Sequence, residues 1–348
     1  MNPILGIFYH AIGGFAAGSF YIPYNRVRNW AWEVYWLVGG FFAWVLAPWL
    51  VSFLAVPDLP GLLKQISLAQ VFWPYFFGVL WGIGGLTFGL TMRYLGMSLG
   101  MAMALGLTAT FGTLVPPIYF GQFGLLLSNT SGLVTLAGVL VCLIGITLTG
   151  RAGILKDKEL SENEKRQHIK EFDLKKGIWV AIFAGVMSAC FAFGIAAGKP
   201  IADLAIKNGT MPLFSNSPVF IFIMAGGMTT NAVWCLYLAI KNKTVQDYIK
   251  TMDTPISANY FYCILAGFTW YLQFMFYGMG TTKMGEYDFA SWSIHMAFII
   301  TFSNMWGLLL KEWKGSSNRT IRTILLGLLV LVLSTVVIGI GNYIQTFE

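Results

Sequence analysis

The sequence predicts an all-α integral membrane protein of ten transmembrane helices. They form a 5+5 inverted-topology repeat with both termini non-cytoplasmic. Three observations carry this prediction. Hydrophobic residues make up 57% of the 348 and charged residues only 11%, with a mean hydropathy of +0.68, whereas a wetted soluble surface needs roughly 25% charge. Apolar runs of about 20 residues, the length that crosses a bilayer, recur along the chain. The two halves also resemble each other at a fixed spacing.

The ten runs cover about 3–24, 34–56, 70–92, 97–119, 132–151, 177–198, 217–240, 260–281, 288–310 and 323–345. Together they leave no room for a soluble catalytic domain. The first run is expected to be a retained helix and not a cleaved signal peptide, because no Lys or Arg precedes it and Arg26 and Arg28 follow it. The loops after helices 1, 3, 5, 7 and 9 hold 2, 1, 8, 3 and 4 of the 22 basic residues, and the remaining loops hold only Lys64, Lys199, Lys207 and Lys283. That asymmetry is the positive-inside pattern. The net charge of +7 therefore reports topology and gives no reason to expect a nucleic-acid partner. Cys142, Cys190, Cys235 and Cys263 all lie in apolar runs without CxxC spacing, which suits helix packing.

The chain divides into a first five-helix repeat over 1–155, a charged cytoplasmic linker over 156–176, and a second five-helix repeat over 177–348. The linker reads KDKELSENEKRQHIKEFDLKK, and its His168 is assigned no chemistry. At an offset of 189 residues, Trp81 matches Trp270, Phe88 matches Tyr277 and Gly89 matches Gly278. The same offset pairs Gly96 with Gly285, Gly138 with Gly327 and Val141 with Val330. An odd number of spans per repeat makes the second half enter from the opposite face, as in many secondary transporters, whose sites lie near the midplane between the halves.

Ionisable residues in a span are costly and usually functional. The ninth helix opens with GEYDFASWSIHM, residues 285–296, where Asp288, Ser291, Trp292 and His295 fall at i, i+3, i+4 and i+7 on one face. Asp288 or His295 can take up and release a proton within a transport cycle. The alternatives are an N-terminal helix acid for Asp288 and an interhelical hydrogen bond for His295. Glu286 and Lys283 read as loop residues. On the eighth helix Trp270, Gln273, Phe274 and Tyr277 share a similar face. An amide among aromatic rings suits a neutral polyol, the amide meeting hydroxyls and the rings covering C–H faces, although packing would also account for it. His10 in FYHAIGG is a third candidate for the proton. Gly14 and Gly18 are spaced for close helix contact, and Pro23 marks a hinge or a terminus. The glycines of WGIGGLTFG, residues 81–89, lie inside a span without a following GK[ST] and read as packing, not as a phosphate loop. Arg93 reads as another cytoplasmic charge. There is no HExxH, acidic cluster or histidine pair spaced for a metal, so a multispan enzyme lacks its chemistry. Few basic residues lie deep in helices, which disfavours strongly anionic substrates.

These phrases resemble the L-rhamnose–proton symporters, a branch of the drug/metabolite transporter superfamily, nearly end to end. The shared stretches are FYHAIG, the Trp32–Glu33 pair of WAWE, GLTMRYLGMS (89–98), RAG (151–153), LKKG (174–177) and GKP ending at Pro200. They continue with WYLQF (270–274), YDFASW with IHM, and LKEW (310–313). The resemblance implies ten helices, inward sugar uptake coupled to a proton gradient in a bacterial inner (plasma) membrane, and a central path between helices 3, 4, 8 and 9. It implies no cofactor beyond the coupling proton. It directs attention to His10, Gln273, Tyr287, Asp288 and His295 without saying which of them binds the proton. Two departures stand out: Asn25, Arg26 and Arg28 replace a lysine-rich stretch, and Glu286 adds an acid before the Tyr-Asp pair. The expected partners are a small neutral sugar and the lipid bilayer. The contacts expected for the sugar are Trp270, Gln273, Tyr277, Tyr287, Ser291 and Trp292. The exact sugar and the oligomeric state stay open, as do export of another neutral metabolite and passive facilitation on the same fold.

Overall fold

A computed structural model of the chain describes residues 2–95, 97–119, 121, 123–159, 173–249, 255–285 and 289–348. Glu286, Tyr287, Asp288 and His168 lie outside the described residues. Helices dominate, and no strand occurs among the described residues.

In chain order the long helices are α1 (Pro3–Ser19), α2, α3 (Leu68–Leu95), α4 (Met97–Tyr119), α5 (Thr130–Glu159), α6 (Leu174–Ala197), α7 (Ser217–Lys241), α8 (Ile256–Thr281), α9 (Ala290–Leu309) and α10 (Asn318–Ile344). α2 runs over Trp32–Phe41, a π turn at Phe42–Leu46, and Ala47–Ala55. The π turn has a local cause. Pro48 cannot donate to the carbonyl of Trp44 and its ring crowds that carbonyl, so the backbone widens just before it. α1 starts where the Asn2 side chain accepts from Leu5 N at 3.1 Å, with Pro3 in the first turn. α5 continues four residues beyond the expected repeat boundary, to Glu159. Its carboxylate there accepts from the Ser317 hydroxyl at 2.5 Å and the Thr320 hydroxyl at 2.6 Å, and so caps the start of α10.

Seven stretches are long and apolar enough to cross a membrane: Pro3–Tyr24, Trp32–Ala55, Leu68–Thr91, Thr130–Glu159, Lys175–Lys207, Pro212–Lys241 and Asn318–Ile344. α4, α8 and α9 are not among them. In α8 and α9 the reason is chemical. Asn259, Gln273 and several tyrosines dilute the first, and Ser291, Ser293, His295 and Asn304 dilute the second. Those polar residues lie mostly inside, with Asn259, Gln273, Ser291, Ser293 and His295 all buried. The outer faces are apolar, as Leu325, Leu329, Leu333 and Val336 on α10 show.

Between helices in lipid there is little hydrophobic drive, so close approach through small residues and interhelical hydrogen bonds hold the bundle. Gly14 lies against Phe298 and Gly18 against Ser303, which seats α1 on α9 as the glycine spacing predicts. Gly138 and Gly327, matched in sequence, lie in the α5–α10 contact, against Ile338 and Thr149. The packing partners repeat in kind. α1 packs on α8 and α9, while α6 packs on α3 and α4; α2 packs on α8, while α7 packs on α3; α5 packs on α10. Within this group of contacts, exchanging each helix with the one five places on returns the same pairs. All four cysteines are buried in this packing.

Candidate transport site

The buried polar groups of α1, α8 and α9 meet in one cluster. His10 of α1 and His295 of α9 are 0% and 1% exposed, and their ring centroids stand 6.0 Å apart. Tyr277 of α8 lies 5.4 Å from His10 and 5.1 Å from His295. It also meets Trp292 edge-on at 5.5 Å.

Glycines on neighbouring helices make this closeness possible. The His10 ring rests over Gly280, where an added Cβ would stand 2.6 Å from its Cε1. His295 Cε1 would be 3.0 Å from a Cβ at Gly13, and the Trp292 indole lies directly on Gly112 of α4. Trp292 is fixed further by its Nε1–H, which donates to the Thr108 carbonyl at 3.0 Å. At the next residue on each helix the Ser293 and Thr113 hydroxyls are hydrogen-bonded at 2.8 Å, a second tie between α4 and α9.

A wall of aromatic rings continues from this cluster. Phe191 of α6 stacks on Trp292 at 6.0 Å and lies 4.6 Å from Phe274. Trp81 of α3 lies 5.4 Å from Phe274 and 5.1 Å from Phe191. Trp81 and its sequence match Trp270 both pack on Trp44, at 6.0 and 5.3 Å. Trp44 sits on the π turn of α2, which brings its ring between Trp81 of α3 and Trp270 of α8. Trp270 closes against Phe20 at 4.2 Å and Trp36 at 4.8 Å.

Several polar atoms here have no partner. Both ring nitrogens of His10, Nδ1 of His295, Oγ of Ser291 and Nε1 of Trp270 are buried without a hydrogen bond among the described residues. Such groups are rare because each costs roughly 1–3 kcal/mol. One imidazole with neither ring nitrogen bonded and a second with an unbonded Nδ1, in an aromatic surround, are suited to exchanging a proton and to meeting the hydroxyls of a polyol. Gln273 is also buried, with its main chain against Gly13.

Of the residues singled out from sequence, the structure brings His10, Tyr277 and His295 into mutual contact, with Trp292 edge-on to Tyr277. Ser291 and Gln273 lie buried on the same two helices. Trp270 stands apart, on the far side of Phe274 and Trp81. Asp288 and Tyr287 fall outside the described residues, so the expected four-residue face of α9 is described only for Ser291, Trp292 and His295. Sequence reasoning missed Phe191, Trp44, Thr108 and Gly112. Phe191 and Thr108 carry no distinguishing spacing, and the offset that pairs Trp81 with Trp270 does not say that both pack on Trp44.

The family model for the L-rhamnose-proton symport protein (RhaT) matches residues 1–343. The chain belongs to this family. It is 38% identical over 341 residues to the L-rhamnose-proton symporter of Yersinia pestis (strain Pestoides F), covering 97% of this chain and 98% of that protein. A similar protein of the same name from Cronobacter sakazakii is 38% identical over 340 residues, covering 97% of each chain. The RhaT match spans both halves of the chain and every residue of the histidine–aromatic cluster.

Proposed function

We propose that the chain takes up L-rhamnose, or a closely related deoxy sugar, by proton symport across a bacterial inner membrane. In this reading it is a secondary active transporter of the drug/metabolite superfamily and not an enzyme, and its only coupling species is the proton. Ten spans form two inverted five-helix repeats, 1–155 and 177–348, joined by the cytoplasmic segment 156–176. The positive-inside distribution and the exchange symmetry of the helix contacts support this topology, with both termini outside. The sugar lies against Tyr277, Trp292, Ser291 and Gln273, with Tyr287 and Trp270 as further contacts.

The observation that carries the mechanism is the pair of buried imidazoles beside Tyr277, with both ring nitrogens of His10 and Nδ1 of His295 unbonded among the described residues. A proton taken up by His10 or His295 turns a ring acceptor into a second donor toward the sugar hydroxyls. Proton binding then strengthens sugar binding, and linkage requires the sugar to strengthen proton binding equally. The loaded and empty carriers reorient; the protonated carrier without sugar does so slowly, which enforces coupling. Asp288, which lies outside the described residues, stays a candidate for the proton alongside His10 and His295.

The test is L-rhamnose uptake into proteoliposomes with and without an imposed proton gradient, for the native chain and for His10→Asn, His295→Asn and Asp288→Asn. The expected result is gradient-driven accumulation by the native chain. A histidine variant should lose accumulation but keep downhill exchange. Native uptake indifferent to the gradient would establish a facilitator instead. Full accumulation by both histidine variants would move the coupling role to Asp288.

A further inference from the structure

The two repeats are not in the same state. On α3, Gly78, Gly82, Gly85 and Gly89 fall at i, i+4, i+7 and i+11 and form one stripe. Its first half is pressed on α7: Gly78 meets the Ile223 backbone, and Gly82 meets Gly227 and Thr230. Its second half is uncovered. Gly85 and Gly89 are exposed, and a Cβ at either would meet nothing within 4 Å. The helices therefore part toward the cytoplasmic end of α3, on the same face that packs tightly toward the other end.

At the 189-residue offset the matching stripe on α8 is Gly267, Tyr271, Phe274 and Gly278, and it is covered along its whole length. Gly267 meets Gly39 and Phe42 of α2, Tyr271 and Phe274 are 1% and 6% exposed, and Gly278 is capped by Phe220. A Cβ at Gly278 would stand 2.7 Å from Phe220 Cζ. Asn216 fastens this end, donating from Nδ2 to the Gly278 carbonyl at 3.1 Å and to the Thr281 hydroxyl at 3.2 Å. Phe220 stacks on Phe191 at 6.1 Å, and Phe191 stacks on Trp292, so this closure reaches the site directly.

The counterparts of Asn216 and Phe220 can be read from the packing. Gly78 meets Ile223 where Gly267 meets Gly39, and Gly226 meets α3 where Phe42 meets Gly267. Both pairs give the same correspondence, which places Trp32 opposite Asn216 and Trp36 opposite Phe220. Trp36 is not on Gly89. Its Nε1–H donates to Asn231 Oδ1 at 3.0 Å, and its ring packs on Trp270.

We propose that Asn216 and Phe220 form the outer gate of the transport path, shut in this structure, and that Trp32 and Trp36 are the inner gate. In the opposite state Trp36 leaves Asn231 and closes on Gly89, while Phe220 lifts from Gly278. This rests on the symport reading and the topology above, and adds which residues move.

The test uses the full-length chain, whose four native cysteines are buried, in vesicles of both orientations. Gly89→Cys should be modified by a membrane-impermeant maleimide from the cytoplasmic face only. Adding Gly278→Ala, which obstructs outer closure, should slow that modification and let Trp36→Cys and Gly89→Cys be joined by oxidation. Separately, oxidising an Asn216→Cys, Thr281→Cys pair should abolish transport, with recovery on reduction, while leaving Gly89→Cys labelling intact. The proposal is overturned if Gly89→Cys reacts equally from both faces, if Gly278→Ala leaves its labelling rate unchanged, or if the oxidised pair still transports. Labelling needs no substrate. Failure of L-rhamnose uptake in the native chain would therefore count against the sugar assignment alone.

Discussion

Gly280→Ala tests whether the seating of His10 matters, without touching a titratable group. The new Cβ would stand 2.6 Å from His10 Cε1, 2.7 Å from Nε2 and 2.9 Å from Nδ1. Ordinary carbon contacts lie at about 3.5–4.0 Å, so the ring must retreat by about 1 Å. It has little room, with Tyr277 at 5.4 Å and His295 at 6.0 Å. Overpacking of this kind costs about 1–3 kcal/mol, and a misplacement of about 1 Å at a reacting group can cost about 100-fold in rate. The expected result is therefore a loss of gradient-driven L-rhamnose accumulation of about 10- to 100-fold, with downhill exchange reduced less. Gly124→Ala is the control, since a Cβ there meets nothing within 4 Å. Thermal unfolding in detergent separates misplacement from unfolding. If Gly280→Ala folds and accumulates sugar like the native chain across the pH range, His10 is not the seated coupling group.

Trp292→Phe removes the donor to the Thr108 carbonyl but keeps most of the ring on Gly112. It should lower stability by about 1 kcal/mol and raise the KM for sugar more than it lowers the maximal rate; unfolding and uptake kinetics read the two effects. Glu33, 5% exposed at the start of α2, accepts from Asn242 Nδ2 and the Thr244 hydroxyl, each at 2.9 Å. Glu33→Gln should lower stability by about 1–2 kcal/mol through this α2–α7 tie, yet leave the pH profile of uptake unchanged. A shifted profile would make Glu33 part of the coupling route.

The two faces on α8 and α9 were legible in the sequence because helical period alone puts Trp270, Phe274 and Tyr277, and Ser291, Trp292 and His295, in line. The glycine contact of α1 with α9 was legible for the same reason. What spacing could not show is which faces meet. His10 and His295 are 285 positions apart, and only the folded path of α1 between α8 and α9 brings their rings together. Phe191 and Thr108 are ordinary residues of apolar helices, and their role comes from the neighbour each touches. Trp44 depends on a π turn that Pro48 imposes. The sequence marks that proline, but not the direction in which the widened turn aims the ring. Glu33 was noted only as part of a family phrase, because its partners come from the distant end of α7.

The proposed repeat also bears on stoichiometry. At the 189-residue offset, His295 corresponds to Gly106, Tyr277 to Phe88 and Gln273 to Gly84. In the proposed repeat the scaffold is doubled and the chemistry is not, which leaves one imidazole pair per chain. Two imidazolium charges 6.0 Å apart would repel by about 3 kcal/mol at an effective dielectric constant of ~20, a penalty of about 100-fold on the second proton. The pair can therefore hold one proton in a cycle but not two, and the expected coupling is one proton per sugar. The reversal potential of L-rhamnose flux in proteoliposomes, measured against imposed gradients of proton and sugar, reads that ratio directly. A ratio of two would require a second titrating group independent of the pair, and the removal of Asp288 should then return it to one.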